Sequence, residues 1–222
     1  MIKVQEYNLP DFNIYAKSEN AFSIWQPENT CVVIGTSNKP EDSLKAENII
    51  VDNIAVYKRP TGGQAVVLTP ETIVISVLKL ENSLKAPKVL FQKINSLIIQ
   101  SLQQLGVKQL SHKGISDIAI ADKKILGSAL YRNKAKNFYH AVLNLSANVD
   151  IIERYLKHPV KEPDYRNGRS HSEFVTSLRK EGYHLNTEEI IDNLKTNFEI
   201  NLFELEGLQI RSDTINPERL NV

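Results

Sequence analysis

Short apolar runs dominate the first third of the chain. Thr30 to Ile34 is closed by Gly35 and a polar stretch ending at Pro40, which predicts a buried strand and a turn. Ile54 to Tyr57, Ala65 to Leu68 and Thr72 to Leu80 are short and rich in β-branched residues, so they predict further strands. From Pro87 the period changes. Leu90, Phe91, Ile94, Leu97, Ile98, Leu102 and Leu105 recur at helical spacing between a proline suited to a first turn and Gly106, suited to a C-cap. Ile118 to Ile120 and Lys124 to Leu130 predict a hairpin turning at Ala121-Asp122-Lys123, and Phe138 to Leu145 predicts another strand. Asp150 is expected to cap a short helix reaching Leu156. Asn186-Thr187-Glu188-Glu189 has the spacing of a capping box before a helix with Ile190, Ile191, Leu194 and Phe198 on one face. Phe203 to Ile210 is expected to return as a strand, and the tail from Ser212 to be loose. Strands and helices in mixed order, without regular alternation, predict an α+β fold with a mixed sheet packed against helices.

A chain of 222 residues fits one domain. The expectation is a single catalytic-type unit over 1–222, folded to about 210, with no room for an accessory domain after Phe203. The segment Lys157 to Lys180 is polar and carries Pro159, Pro163 and Gly168. It is too long for a plain connection and so is expected to have a role. Twenty-seven basic against 26 acidic residues leave a net charge of +1, which argues against a nucleic-acid partner. No stretch approaches the roughly 18 apolar residues of a membrane span, and the N-terminus lacks an apolar signal core. Cys31, the one cysteine, forms no internal disulfide, and a reducing compartment, the cytoplasm, is expected.

Two stretches carry candidate chemistry. Lys58-Arg59-Pro60-Thr61-Gly62-Gly63-Gln64-Ala65-Val66 sets two cations before a pair of glycines. Adjacent glycines let backbone N–H groups converge on an anion, and an arginine adds a bidentate phosphate contact. The same residues also describe a plain Gly-Gly turn with surface charge. In the second stretch, pairing of the hairpin brings Asp117 and Ser128 together and sets Lys124 at the opening of the second strand, where an ammonium neutralises a phosphate or carboxylate. A solvated turn lysine is the alternative. Arg166, Arg169 and His171 crowd one polar loop, either as a substrate-closing element or as a salt-bridged surface, and Arg132, Lys134 and Lys136 form a basic run. The five histidines show no paired metal-ligand spacing.

In order and spacing the two stretches resemble the lipoate-protein ligase family of the biotin and lipoate ligase superfamily, in particular its small single-domain bacterial members. Lys58 to Gln64 resembles the family's arginine and glycine-rich segment, Ser116-Asp117 its Asn-Asp pair, and Lys124-Ile125-Leu126-Gly127-Ser128-Ala129 its Lys-Ile-x-Gly-Ser-Ala segment. Val32 to Gly35 with Pro40, Tyr139 to Leu145, and Tyr165 to Leu178 extend the likeness from about Trp25 to Leu178. The chain departs from the family pattern at Gln64, Leu68-Thr69, Ser116 and Ala141.

The resemblance implies a ligase-type catalytic domain that activates lipoate or octanoate with ATP and Mg²⁺ as an acyl-adenylate, then passes the acyl group to a lysine of a carrier domain. It implies lipoyl carrier domains of the 2-oxoacid dehydrogenase or glycine-cleavage type as partners. Lys124 would be catalytic, bridging the acyl carbonyl and the α-phosphate. Arg59 with Gly62, Gly63, Gln64, Ala65, Val66 and Val67 would hold the nucleotide. Asp117 would sit near the nucleotide or its magnesium, and His140, Gly127 and Ser128 would border the acyl site. A thioester-forming transferase is an alternative that turns on Cys31, whose apolar run reads instead as a buried strand. A non-catalytic relative that only binds acyl or nucleotide ligands is the other.

Overall fold

The computed structural model describes residues 2–80, 87–159 and 161–212. In chain order these form β1 (Val4–Glu6), α1 (Phe12–Tyr15), β2 (Ala21–Trp25), β3 (Cys31–Ile34), α2 (Pro40–Ser43), α3 (Ala46–Val51), β4 (Ala55–Lys58), β5 (Val66–Leu68) and β6 (Thr72–Leu80). Then come α4 (Pro87–Gln104), β7 (Leu110–Lys113), β8 (Asp117–Ile120), β9 (Lys123–Arg132), β10 (Lys136–Asn144), α5 (Asp150–Tyr155), α6 (His171–Phe174) and α7 (Thr187–Ser212). A 3₁₀ turn at Asp164–Arg166 lies in the polar segment between α5 and α6.

Two sheets result. The smaller has the order β1-β4-β3-β5, parallel except for β3 against β5. The larger, β2-β6-β10-β9-β8-β7, is antiparallel throughout. β6 is buried along nearly its whole length, which explains its continuous apolar run. One face of the larger sheet packs on α4 and α7 through Ile73, Ile75, Tyr139, Ala141, Leu143, Ile94, Ile98, Leu194 and Phe198. Alternate residues, Val74 of β6 and Val142 of β10, turn toward the smaller sheet and meet Cys31, Val33 and Leu68. The period-2 alternation of side chains therefore supplies two apolar interfaces from one sheet.

The sheets and α4 follow the sequence pattern, and Gly106 takes the left-handed backbone of a C-cap at φ +86°. Two expectations are corrected. Phe203 to Ile210 is not a strand: α7 continues to Ser212, because a helix already nucleated extends easily through good helix formers such as Glu204, Leu205 and Glu206. Asp150 does not cap α5. Val149 holds the cap position, and the Asn148 carboxamide accepts from Asp150 N at 3.0 Å. At α7 the Asn186 side chain accepts from the backbone N–H groups of Glu188 and Glu189. The tail beyond Ser212 lies outside the described residues.

Candidate functional site

The inner face of the larger sheet, where it meets the smaller one, carries the predicted chemistry. Asp117 on β8 pairs with Gly127 on β9, and Gly127 pairs with Val142 on β10. Lys124 reaches this face because the register slips. Ile118 pairs with Leu126 but Ala119 pairs with Lys124, so Ile125 is an extra residue in a β-bulge. Asp117 and Ala119 share one face of β8, and the bulge sets Lys124 on that same face. Its Nζ lies 3.0 Å from Asp117 Oδ1. Gly127 provides the bed for this side chain, since a Cβ there would lie 2.6 Å from both Cε and Nζ of Lys124.

Asp117 is almost fully buried, with its side chain 6% exposed, whereas the Lys124 side chain is 27% exposed. Ser116 Oγ donates to Asp117 Oδ1 at 3.3 Å, and Tyr165 OH donates to Oδ2 at 2.8 Å. Burial, reinforced by the Asp117 charge, pushes the Tyr165 phenol strongly up, so it stays a donor. The backbone of the polar segment returns to the same place. Thr176 N donates to Lys124 O at 2.9 Å, and Val175 makes a parallel bridge to Lys124. Phe174 lies under the guanidinium groups of Arg166 and Arg169, at 4.9 and 5.2 Å from its ring centre. Ser170 and Glu173 close a capping box on α6. The segment read as too long for a linker is thus folded against the lysine.

The glycine-rich loop crosses the site from the smaller sheet. Gly63 has φ +102°, and a Cβ there would meet Arg59 Nη2 at 2.6 Å and Ala129 Cβ at 2.9 Å. Gly62 has open space around it, and Gln64 is absent from the residues at positive φ, so the strained geometry of this loop falls on Gly63. Arg59, only 4% exposed, donates from Nε and Nη2 to Gly62 O and from Nη2 to Gln64 O, bracing the loop from beneath, and it also lines the cavity between the sheets. Burial lowers its pKa to about 10, opposed by the nearby Tyr7 and Asp11. Asp11 itself accepts from Tyr7 OH at 2.7 Å and Ser76 Oγ at 3.0 Å. His140 Nε2 sits 3.2 Å from Thr61 Oγ1, and burial with the Arg59 charge holds the imidazole neutral.

Two cavities share Lys124, Gly127, Gln64, Ala65, Val66 and Val142. One, about 500 Å³, lies between the sheets, with apolar walls from Val33, Leu68, Val74 and Val142 and with Tyr7, Arg59, Ser128 and His140 on its lining. The other, about 440 Å³, opens among Asn38, Lys39, Lys157, Lys161, His158 and His171, with Val67 and Thr69 on its wall. Cys31 borders neither, and burial pushes its thiol up to about 11. Lys136 of the basic run is tied inward, donating to Tyr15 O and Lys17 O. No three His, Cys, Asp or Glu side chains cluster among the described residues. Asp117 is the carboxylate beside Lys124, and one protein carboxylate suits a magnesium ion held mainly by phosphate and water oxygens. Sequence reasoning missed Tyr165 as a partner of Asp117. The density of polar residues after Pro163 was the available signal.

A family model described as the lipoyl protein ligase A/B catalytic domain matches residues 3–199. Among curated proteins, the chain is similar to lipoate-protein ligase A of Psychrobacter cryohalolentis, 29% identical over 152 residues, covering 68% of this chain and 42% of that protein. It is also similar to lipoate–protein ligase 1 of Staphylococcus aureus, 27% identical over 159 residues, covering 70% of this chain and 45% of that one. The chain therefore spans less than half the length of these relatives. Its fold is that of a bipartite lipoate protein ligase from Thermoplasma acidophilum, with a TM-score of 0.75 at 22% identity over 87% of this chain and 76% of that one. It is equally that of a lipoate-protein ligase A bound with ATP, with a TM-score of 0.72 at 20% identity over 91% and 84%.

Proposed function

The chain belongs to the lipoyl protein ligase A/B catalytic-domain family, and from that premise we propose that it is an ATP-dependent lipoate-protein ligase acting as one catalytic domain. The observation that carries the reading is the position of Lys124. A partly exposed ammonium, paired with a single carboxylate, stands where an apolar cavity and a lysine-rimmed cavity meet. An acyl chain suits the first and a triphosphate the second.

In the first step a carboxylate oxygen of lipoate or octanoate attacks the α-phosphorus of ATP, and pyrophosphate leaves. In the second, a carrier lysine amine attacks the acyl carbon, AMP leaves with the electron pair of the broken C–O bond, and the nitrogen gives up a proton to solvent as the amide forms. Negative charge builds on oxygens at the same point in both steps. Lys124 neutralises it there, and preorganised charge of this kind contributes most where water is excluded. Gln64 to Val67 line the cavity proposed for the nucleotide, while Gly62 and Gly63 line neither cavity and, with Arg59, fix the loop's shape. His140, Gly127 and Ser128 border the acyl end. Asp117, beside Lys124, would hold magnesium brought in with the nucleotide, and the ion would supply charge neutralisation at the phosphate next to the acyl carboxylate.

The partners under this reading are lipoyl carrier domains, and a reducing cytoplasm suits a chain whose one thiol is buried. No helix among the described residues is long and apolar enough to cross a membrane. A ligase makes the test direct. Apo carrier domain incubated with the protein and lipoate should gain a lipoyl mass only when ATP is present, with AMP and pyrophosphate formed in step. Acylation without ATP from an acylated donor protein would replace the ligase with a transferase.

A further inference from the structure

We propose that Tyr165 is a positioning residue for Lys124, acting through Asp117 to set how firmly the ammonium is held before substrate arrives. The proposal rests on the ligase reading for its kinetic arm and on geometry alone for its spectroscopic arm.

Three contacts converge. Lys124 Nζ meets Asp117 Oδ1 at 3.0 Å, and Tyr165 OH donates to the other oxygen, Oδ2, at 2.8 Å. Thr176 N holds the carbonyl of the same lysine at 2.9 Å. One polar segment thus grips Lys124 at its backbone directly and at its side chain through a carboxylate. The Tyr165 ring is fixed by Phe174, with ring centres 5.0 Å apart, and its edge lies near Gly114. The hydroxyl is therefore delivered by a packed scaffold.

The chemical consequence follows from sharing. A carboxylate that already accepts a strong hydrogen bond on one oxygen offers less charge to the cation on the other. Lys124 must leave Asp117, at least in part, to neutralise charge on phosphate and acyl oxygens. With Tyr165 in place the ammonium is aimed but not locked. Without the hydroxyl, Asp117 keeps the ammonium more tightly, and the charge that develops on oxygen only in the transition state competes less well for it. Ser116 Oγ, 3.3 Å from Oδ1, is a further donor to this carboxylate, on the oxygen that meets the ammonium.

The test is Tyr165→Phe in the full chain, which keeps the ring against Phe174 and removes only the hydroxyl. Wild-type protein is first shown to form lipoyl-AMP and to acylate a carrier domain. The variant should then lose about tenfold in kcat, with KM for ATP and for lipoate within about twofold. In an Asp117→Asn background the same substitution should change kcat by less than about twofold. The side-chain ¹⁵N resonance of the Lys124 ammonium, assigned by its loss in Lys124→Arg, should move in Tyr165→Phe and show no further move when that change is added to Asp117→Asn. An unmoved resonance overturns the proposal whatever the activity does. So does a loss confined to KM, or an equal loss in the Asp117→Asn background. A wild type that forms no adenylate overturns the ligase reading instead, and the resonance then decides Tyr165 alone.

Discussion

Two cations anchor this site, and they are managed in opposite ways. Arg59 is buried, and its Nε and Nη2 serve carbonyls of the loop above it. Lys124 is partly exposed and shares a single carboxylate from which it can be released. Each has a glycine pressed against it, for different reasons. Gly63 adopts a left-handed backbone and packs on Arg59, whereas a side chain on Gly127 would occupy the space where Lys124 lies. A buried cation turned onto its own loop shapes the scaffold. A partly exposed cation with one carboxylate partner among the described residues remains available for chemistry.

The contrast breaks first at Lys124. Under the proposed reading Lys124→Ala should reduce carrier acylation at least about a hundredfold, with the chain still folded but its unfolding temperature lowered, because the almost fully buried Asp117 loses its cation. Near-normal turnover would remove Lys124 from the mechanism. At the scaffold cation the expectation inverts. Gly63→Val should destabilise the fold by about 2 kcal/mol, through the positive φ and the close approach to Arg59 and Ala129, and should weaken nucleotide binding far more than Gln64→Gly. Denaturant titration and calorimetry with a non-hydrolysable nucleotide measure both. Equal, unchanged affinities would reduce the loop to a turn.

Gly127→Ala sharpens the difference. The atoms it displaces are the far end of a flexible side chain, so stability should barely change while turnover falls about tenfold as Lys124 is pushed off its bed. A larger loss of stability than of rate would make Gly127 a scaffold glycine like Gly63. Cys31→Ser, remote from both cations, should keep most activity and lower stability by roughly 1 kcal/mol, since a hydroxyl replaces a small apolar group in a packed strand. An acyl-thioester mapped to Cys31 by mass spectrometry would overturn the ligase reading.

The smallest effect concerns His140, beside Arg59. Its folded pKa is held well below the ordinary value, so on acidification the unfolded chain binds a proton there before the folded one does. Stability on this account falls as pH drops through about 6.5, by roughly 0.7 kcal/mol between pH 7 and pH 6. His140→Gln should flatten that part of the pH–stability curve, and an unchanged slope would show that the imidazole protonates in place.

Much of this arrangement was legible in the sequence because periodicity reports burial. β6, the helix from Pro87 and the Asp117–Lys124 hairpin all follow from apolar spacing. Lys124 stood out because its neighbours Gly127 and Ser128 match a chemistry-bearing pattern. The inward turn of Arg59 was not legible, since the same Arg-Pro-Thr-Gly-Gly serves a phosphate nest or a braced loop, and only the direction of the guanidinium separates them. Tyr165 was hidden for another reason: its hydrogen bond to Asp117 spans 48 positions, and no local pattern encodes such a contact. Residues Phe203 to Ile210 misled because Phe203, Leu205 and the later apolar residues mimic a strand, while the helix entering from Thr187 simply continues.

The extra residue at Ile125 carries a consequence for the ways this hairpin can be mispaired. Loss of Ile125 would close the bulge and leave Lys124 opposite Ala119, on the face it shares with Asp117. Zipped without the bulge at the same length, however, β9 would set Ile125 against Ala119 and Lys124 against Ile120, and every residue from Ile125 to the turn would exchange sides. Lys124 would then point to the apolar side of Ile118 and Ile120 as an uncompensated buried charge. The lysine that marks the site therefore also penalises the wrong register of the strand that carries it.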